Sequence, residues 1–412
     1  MTSEGTSRDR GKTMTRAYKY RIYPSAEQLG TLESWLETLR LLYNFSLAER
    51  RDTWKDEGRS VGYFDQAKAL PLLKGQFPEY GSVYSQVLQD CLRRLQKAFD
   101  AFFRRVKAGA KPGYPRFRGR GRYRSFTYPQ SGFGIVEEGR SVHLSGVGDI
   151  RLVYHRQIPE EARVKTCTVS KNRADQWFAS FSVELPDVAM TPGVITGADL
   201  GLAKLITLSS GEIVSPPKFL RKAERRLKRI QRRHSSKKKG SSNRAKHRTI
   251  LGRAHVKVTN QRQDFLHKLA RDLVDNHEGL AFESLNIRSM VRNRHFAKSI
   301  LDASWGTLAR LVEYKAESAG KPFILVSPQY TSQDCSGCGR RVPKTLAERT
   351  HRCPSCGIVL DRDLNAAINI ASKATAGTAE SYARGDQGLY GGSSIPPQVR
   401  SMNREAPSVR AG

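Results

Sequence analysis

Over residues 16–23, Tyr18, Tyr20 and Ile22 alternate with Lys19 and Arg21, and Pro24 ends the run. A period of two is that of a strand with one buried face. Ser25 then stands where a helix cap belongs, and Leu29, Leu32, Leu36, Leu39 and Tyr43 recur at helical spacing behind it. A second long helix is predicted over about 83–107. Val83, Val87, Leu88, Leu92, Leu95, Phe99, Phe102 and Val106 form its buried stripe, with Arg93, Arg94, Arg104 and Arg105 facing outward. Residues 109–130 lose this periodicity and fill with Gly, Arg and aromatic residues. From 131 to 187 short alternating runs return, around Val142, Ile150–Tyr154 and Trp177–Val183. A β-barrel interrupted by a helical insertion is the simplest architecture for 15–187.

Residues 187–192 read as a linker. A strand from Gly193 to Asp199 and a hairpin partner from Lys204 to Leu208 follow, with a turn at Ser210-Gly211. Two basic helices joined by a loop at Ser235–Ser242 are predicted next. Gly279–Glu283 is apolar enough for a buried strand, and a basic loop leads to a helix opening at Ser304-Trp305 with Leu308, Leu311 and Val312 inward. A strand over Pro322–Val326 precedes the cysteine region. Past residue 375 the chain turns to Gly, Ser and Pro without period, which predicts disorder. Residues 1–13, ahead of the first patterned segment, are expected to be a disordered extension or the product of an early start codon.

With 412 residues and 38% apolar content the chain is long enough for two to four domains. The net charge of +32 changes the picture most, because Lys and Arg neutralising phosphates supply much of the affinity of proteins for nucleic acids. Residues 218–262 alone carry eighteen Lys or Arg against the single acid Glu224, too one-sided for an ordinary solvated face. There is no run of eighteen apolar residues and no apolar signal core. A cytoplasmic, nucleoid-associated protein without membrane partners is therefore expected. Six cysteines in so long a chain do not make a disulfide framework.

Four of those cysteines form Cys335-x-x-Cys338 and Cys353-x-x-Cys356, the spacing of two metal knuckles whose turns are eased by Gly337, Gly339 and Gly357. Four thiolates fill a tetrahedral sphere, so the pattern predicts one structural zinc, with His351 left as a surface residue. Three acids stand out by position: Asp199 and Glu283 end predicted strands, and Asp363 starts a predicted helix. Hard Mg²⁺ favours oxygen ligands, and a pair of such ions needs carboxylates converging from separate elements. The order Asp, Glu, Asp after apolar strands fits an RNase H-like α/β nuclease core. Asp361 rivals Asp363 but stands where the helix would be capped.

The order of these features resembles the TnpB family of transposon-encoded nucleases, related to the type V CRISPR effectors. It runs from a basic barrel with a helical insertion, through Gly197-Ala198-Asp199-Leu200-Gly201 and two basic helices, to Phe282-Glu283-Ser284-Leu285. It ends with Tyr330 to Gly339, Cys353-Pro354-Ser355-Cys356-Gly357 and Asp361 to Ala367. Tyr20 to Pro24 with Gln28, Tyr43-Asn44, Gly113 to Phe117 and Gln261 to Lys268 extend the likeness over about 16–372. One departure is Ala198, where many relatives carry Val before the Asp.

The resemblance implies a multidomain α+β protein: a β-barrel wedge domain (14–24 and 109–190), a helical recognition domain (25–108), and a RuvC-like nuclease core (191–331 and 361–374). A zinc ribbon (332–360) is inserted in that core, and terminal segments 1–13 and 375–412 are disordered. It implies an RNA-guided DNA endonuclease, one protein per guide RNA, with the guide taken from the transposon end and double-stranded DNA as target. Asp199, Glu283 and Asp363 become a triad holding two Mg²⁺ ions. Residues 288–302, including Asn293, become a lid, and Tyr63, Gln89 and Thr127 fall near positions that contact a target-adjacent motif. Two other functions stay open: an RNA-guided DNA-binding regulator that does not cut, and a transposition accessory protein or transposase. None of the nine histidines forms a His-x-His pair, which removes the metal ligands a tyrosine-dependent single-strand transposase needs.

Overall fold

The computed structural model describes residues 13–345 and 347–383; residues 1–12 of the predicted extension and 384–412 of the predicted tail lie outside the described residues, while Thr13, also expected in the extension, begins the first strand. The chain divides into two units, one of Met1–Asp187 with Arg226–Lys257, the other of Val188–Arg225 with Val258–Gly412.

The first unit is built on a seven-stranded antiparallel sheet. Its strands are β1 (Thr13–Tyr23), β2 (Ser125–Tyr128), β3 (Phe133–Val136), β4 (Ser141–Leu144), β5 (Gly148–Val153), β6 (Arg163–Lys171) and β7 (Trp177–Pro186), in the order β2-β6-β7-β1-β5-β4-β3. The alternation read in β1 is the observed one: Tyr18, Tyr20 and Ile22 are buried while Lys19 and Tyr23 face out. The sheet curls into a near-barrel whose edge strands meet through side chains. The Tyr128 ring of β2 lies 6.3 Å from the Phe133 ring of β3, and the Tyr128 hydroxyl donates to the Ser145 carbonyl at 3.0 Å.

Between β1 and β2 the chain forms α1 (Ala26–Glu57), α2 (Tyr63–Lys68), α3 (Leu70–Gln76), α4 (Pro78–Gly81) and α5 (Ser85–Lys107). Ser25 and Gln28 make a reciprocal capping box that starts α1, and Gly58, at φ 66°, ends it. Trp35 of α1 sits against Phe126 and Tyr128, filling the interior of the near-barrel. The stripe expected on α5 is buried from Val87 to Phe99, but Val106, in its last turn, is exposed. Arg94, expected outward, turns in. It pairs with Asp90 one turn back and donates to the Ser125 carbonyl and the Thr127 hydroxyl.

The second unit carries β8 (Ile195–Asp199), β9 (Ile206–Leu208), β10 (Ile213–Val214), β11 (Gly279–Glu283) and β12 (Phe323–Val326) in the order β10-β9-β8-β11-β12. The first three are antiparallel; β8, β11 and β12 are parallel. This is the strand order of an RNase H-like core. The chain also forms α6 (Phe219–Ser235) and α7 (Ser242–Asn276), the two basic helices expected. The predicted basic loop after β11 instead holds α8 (Ile287–Met290) and α9 (Arg294–Ala303), followed by α10 (Trp305–Ser318). Leu280 and Phe282 of β11 pack in a core with Leu266, Leu273 and Leu308, while Ala281 joins Ile370 and Ala374 on the other face. Burial on both faces explains why this strand reads as a continuous apolar run.

The hairpin β13 (Thr350–Arg352) and β14 (Val359–Asp361) leads into α11 (Arg362–Ala383). That helix continues through 375–383, where disorder was expected. Among the described residues no helix is long and apolar enough to cross a membrane.

Candidate active site and metal centre

The carboxylates are placed by backbone geometry. Phe282 of β11 pairs with Ala198 of β8, so Glu283 and Asp199 leave neighbouring parallel strands at the same level. The third acid arrives on α11, which lies on β8 at Gly197. A Cβ at that glycine would stand 2.0 Å from the Ala367 carbonyl oxygen and 2.6 Å from the Ala371 nitrogen. No side chain fits there, and the contact seats the first turn of α11, with Asp363, beside the end of β8. Asp361 caps the helix as expected, its Oδ1 accepting from the N–H groups of Asp363 at 2.9 Å and Leu364 at 3.3 Å.

Burial, and then the charges of Glu283 and Asp363, push the Asp199 carboxyl up to about 7, against a smaller opposing pull from Arg362. Burial also raises Glu283, against the hydroxyl of Thr331, which donates to its Oε1, and against Lys373. Asp363 faces cations: Arg362 at 3.5 Å, Lys204 and Arg349 at 4.0 Å. Lys204 also bonds Asp361 at 2.8 Å. Asp199 and Glu283, both hard to ionise at the end of a parallel sheet, are charges that a bound divalent cation would relieve. Lys204 and Arg349 were invisible to motif reading, because neither stands in a distinctive local pattern; Thr331 and Arg362 lie inside stretches that carried the resemblance, but no role was read for them there.

Among the described residues, Cys335, Cys338, Cys353 and Cys356 are the one group of three or more His, Cys, Asp or Glu side chains whose ligand atoms all lie within 4.8 Å of one another. The carboxylates do not draw together that tightly. Sγ atoms of Cys335 and Cys356, and of Cys338 and Cys353, are 3.6 Å apart. That is too long for a disulfide, at about 2.05 Å, and close to the ~3.8 Å edge of a tetrahedron with 2.3 Å zinc–sulfur bonds. The two knuckles repeat one geometry. Gly339 N–H closes on the Cys335 carbonyl at 2.8 Å and Gly357 N–H on that of Cys353 at 3.0 Å. Both glycines have positive φ, 74° and 73°. Backbone N–H groups of Cys356 and Ser355 lower the Cys353 thiol to about 6, preparing it as a thiolate. The donor set and spacing fit zinc. His351, expected at the surface, is fully buried in β13 with Nδ1 against the Lys344 ammonium, because the ribbon hairpin folds over it.

In the first unit, Tyr63 and Thr127 both engage α5. The Tyr63 hydroxyl accepts from Arg93 at 3.1 Å, and the Thr127 hydroxyl accepts from Arg94 at 2.5 Å. Gln89, half-buried, lies one turn before Arg93. The structure thus joins two of the three predicted contact residues to adjacent arginines that had been read as a plain outward face.

Known proteins share these features. Residues 14–59 match a model described as a helix-turn-helix domain, 180–294 one described as "Probable transposase", and 305–370 one described as a Cas12f1-like TNB domain. In the first of these the chain forms a strand and one long helix, β1 and α1. The chain is 36% identical over 374 residues to a candidate RNA-guided DNA endonuclease of Streptomyces pristinaespiralis, covering 88% of this chain and 90% of that protein. It is 29% identical to the candidate RNA-guided DNA endonuclease InsQ of Escherichia coli, covering 86% and 91%. Among solved structures, Cas12f1 in complex with sgRNA and target DNA aligns with 87% of this chain and 99% of its own at 15% identity and a TM-score of 0.47.

Proposed function

The chain belongs to the TnpB family of RNA-guided DNA endonucleases, and on that premise we propose that Asp199, Glu283 and Asp363 are the residues with which it cuts DNA at sites chosen by a guide RNA. The observation that carries this reading is the meeting of three acids from β8, β11 and α11, with Asp199 raised to about 7 by burial and by the other two. A protein that only bound DNA would have no use for so costly a cluster. The three carboxylates would hold Mg²⁺, expected as two ions, which when bound supplies activation of water and stabilisation of the leaving oxygen. Asp199, half-buried at the end of β8, would form the floor of the site. Glu283 is oriented by Thr331, and Asp363 sits on the first turn of α11. Lys204, Arg349 and Arg362 offer positive charge near Asp363 where a scissile phosphate would lie.

The guide RNA, derived from the transposon end, would pair with the target strand and so choose the sequence, the division of labour of Cas9-type recognition. Tyr63, Gln89 and Thr127, backed by Arg93 and Arg94, are proposed to read the target-adjacent motif in duplex DNA. The helices α6 and α7 would track phosphates, and the cysteine quartet would hold one structural zinc. By this reading 14–24 with 109–190 serve as the wedge domain, 25–108 as the recognition domain, and 288–302 as the lid. The protein would act in the cytoplasm, at the nucleoid, and the intact acids oppose a regulator without cleavage.

The test is cleavage of linear target DNA by the purified protein–RNA complex in Mg²⁺. Asp199→Ala is expected to retain target binding and lose cleavage. Cleavage at the wild-type rate by that variant overturns the assignment.

A further inference from the structure

Between Glu283 and the first cysteine knuckle runs a set of buried hydrogen bonds that the nuclease chemistry does not use. Asn365 and Asn369 stand one turn apart on α11 and are buried, as is Thr331 in the segment that enters the ribbon. Asn365 works with both ends of its amide. Its Nδ2 donates to the Asp334 carbonyl at 2.8 Å, and its Oδ1 accepts from Ser336 N–H, inside the Cys335–Cys338 knuckle, at 3.0 Å. Asn369 Nδ2 donates to the carbonyls of Asp334 at 2.7 Å and Thr331 at 2.8 Å. The Thr331 hydroxyl has two acceptors within reach, the Glu283 carboxylate and, at 3.1 Å, the Pro328 carbonyl, and its one proton goes to the nearer and charged one, Glu283.

These bonds close a path. It starts one residue past Cys335, crosses α11 two residues past Asp363, returns to the backbone of Thr331, and ends on the carboxylate of Glu283. From this geometry we infer that Thr331, Asn365 and Asn369 are positioning residues that tie the cysteine knuckle to two of the three metal-holding acids. The inference rests on the assignment of Asp199, Glu283 and Asp363 made above.

Helix α11 alone would fix Asp363 but not Glu283, which belongs to a different element. Glu283 pairs with Val326 at the end of the ladder, which fixes its backbone but not its rotamer; the bond from Thr331 bears on the rotamer. Thr331 can hold Glu283 only if its own backbone is held, and that is the work of Asn369. An asparagine suits this place because one Nδ2 carries two hydrogens, enough for two carbonyls. Leucine or alanine there would leave both to share what remains, and aspartate would set a carboxylate against them. Asn365 then registers the same loop against the knuckle itself. The motif Asp363-x-Asn365-x-x-x-Asn369 therefore carries one metal-holding acid and, on the next face of the helix, the two amides that set the position of another.

The test compares Thr331→Val, Thr331→Ser and Asn369→Ala in the full-length protein bound to its guide RNA. Three quantities are read: cleavage rate against Mg²⁺ concentration, target-DNA affinity without Mg²⁺, and zinc per chain. For Thr331→Val and Asn369→Ala, the Mg²⁺ concentration for half-maximal cleavage is expected to rise about tenfold, the size of one hydrogen bond to a charged group. The rate should recover toward wild type at saturating Mg²⁺. Thr331→Ser, which keeps the hydroxyl, should titrate like wild type, and target affinity and zinc content should not change in any variant. A wild-type Mg²⁺ titration for Thr331→Val overturns the inference, as does an equal shift for Thr331→Ser, which would point to packing. Glu283→Ala, run alongside, separates the two levels. If it cleaves normally, the site assignment has failed; if it is inactive while Thr331→Val is unaffected, only the positioning role has failed.

Discussion

Replacing Asp199 with Asn should make the Mg²⁺-free protein more stable while it removes cleavage. The buried carboxyl titrates near 7 in the folded protein, against an ordinary value of 3.8. An acid whose folded value is raised binds more protons when folded than when unfolded. Its presence therefore costs no stability below about pH 4, costs progressively more as pH rises toward 7, and carries its full cost above that. At ~1.4 kcal/mol per pH unit the full cost is ~4 kcal/mol, an upper figure because relaxation and entering water reduce it. Asparagine keeps the shape and removes the charge, so the difference between variant and wild type should be near zero at pH 4 and grow to about 1–4 kcal/mol at pH 8. For a unit of this size that corresponds to a rise in Tm of roughly 3–10 °C. The assay is thermal unfolding of both proteins from pH 4 to 8.5 in buffers free of Mg²⁺ and of chelators, so that zinc stays bound. Millimolar Mg²⁺ at pH 8 should then raise the wild-type Tm and leave the variant where it was, because ligand binding stabilises only the protein that holds it. If the variant is no more stable than wild type at pH 8, or if the difference between them does not change with pH, the acids are not under electrostatic tension and the argument for a cation site fails.

Two further perturbations probe the frame around the acids. Gly197→Ala places a methyl group 2.0 Å from the Ala367 carbonyl oxygen; α11 must move, at a cost of roughly 1–3 kcal/mol. Cleavage should fall at least a hundredfold with guide-RNA binding intact, read by single-turnover kinetics beside a binding titration. Cys335→Ser or removal of zinc by a strong chelator should abolish cleavage and open the ribbon to limited proteolysis. Reconstitution with Co²⁺ should give the thiolate charge-transfer absorption and intense visible bands of a tetrahedral sulfur site. An octahedral cobalt spectrum would refute the four-thiolate assignment.

The strands and helices that decide the site were legible because each carries a strong local pattern: alternation in β1, an apolar run ending on an acid in β8 and β11, paired knuckles in the ribbon. Elements α2, α3, α4 and α8 escaped notice because four to seven residues are too few to show a helical period. Arg94 and His351 were misplaced for a different reason. Arg94 turns in toward partners far along the chain, Ser125 and Thr127, whereas His351 is buried within the ribbon hairpin itself with its Nδ1 against the nearby Lys344. Asn365 stands inside the Asp361 to Ala367 stretch and Asn369 just beyond it, and the sequence alone assigned neither a role. Their partners are backbone carbonyls and an N–H, which every residue possesses and no motif marks.

Asp361 shows how the cysteine quartet and the acid cluster depend on one stretch of chain. It is the last residue of β14, paired with Thr350 in the ribbon hairpin; it is also the cap of α11 and the partner of Lys204. The ribbon ends and the helix bearing Asp363 begins on this residue. From the end of β12 at Val326 to the start of α11 at Arg362 the chain would otherwise be a long connection of little regular structure, with a closure entropy that folding must overcome. Four thiolates on one zinc ion would close it, and in such small sites the free energy of metal binding is free energy of folding. The bond register of β13 with β14 then sets where Asp361 lies, and two residues later Asp363 has no freedom left to stray. On this reading the zinc needs no part in the chemistry to be required for it. It would fix the start of the helix, while Gly197 fixes how closely that helix lies on β8, and between them the third carboxylate would be set in place.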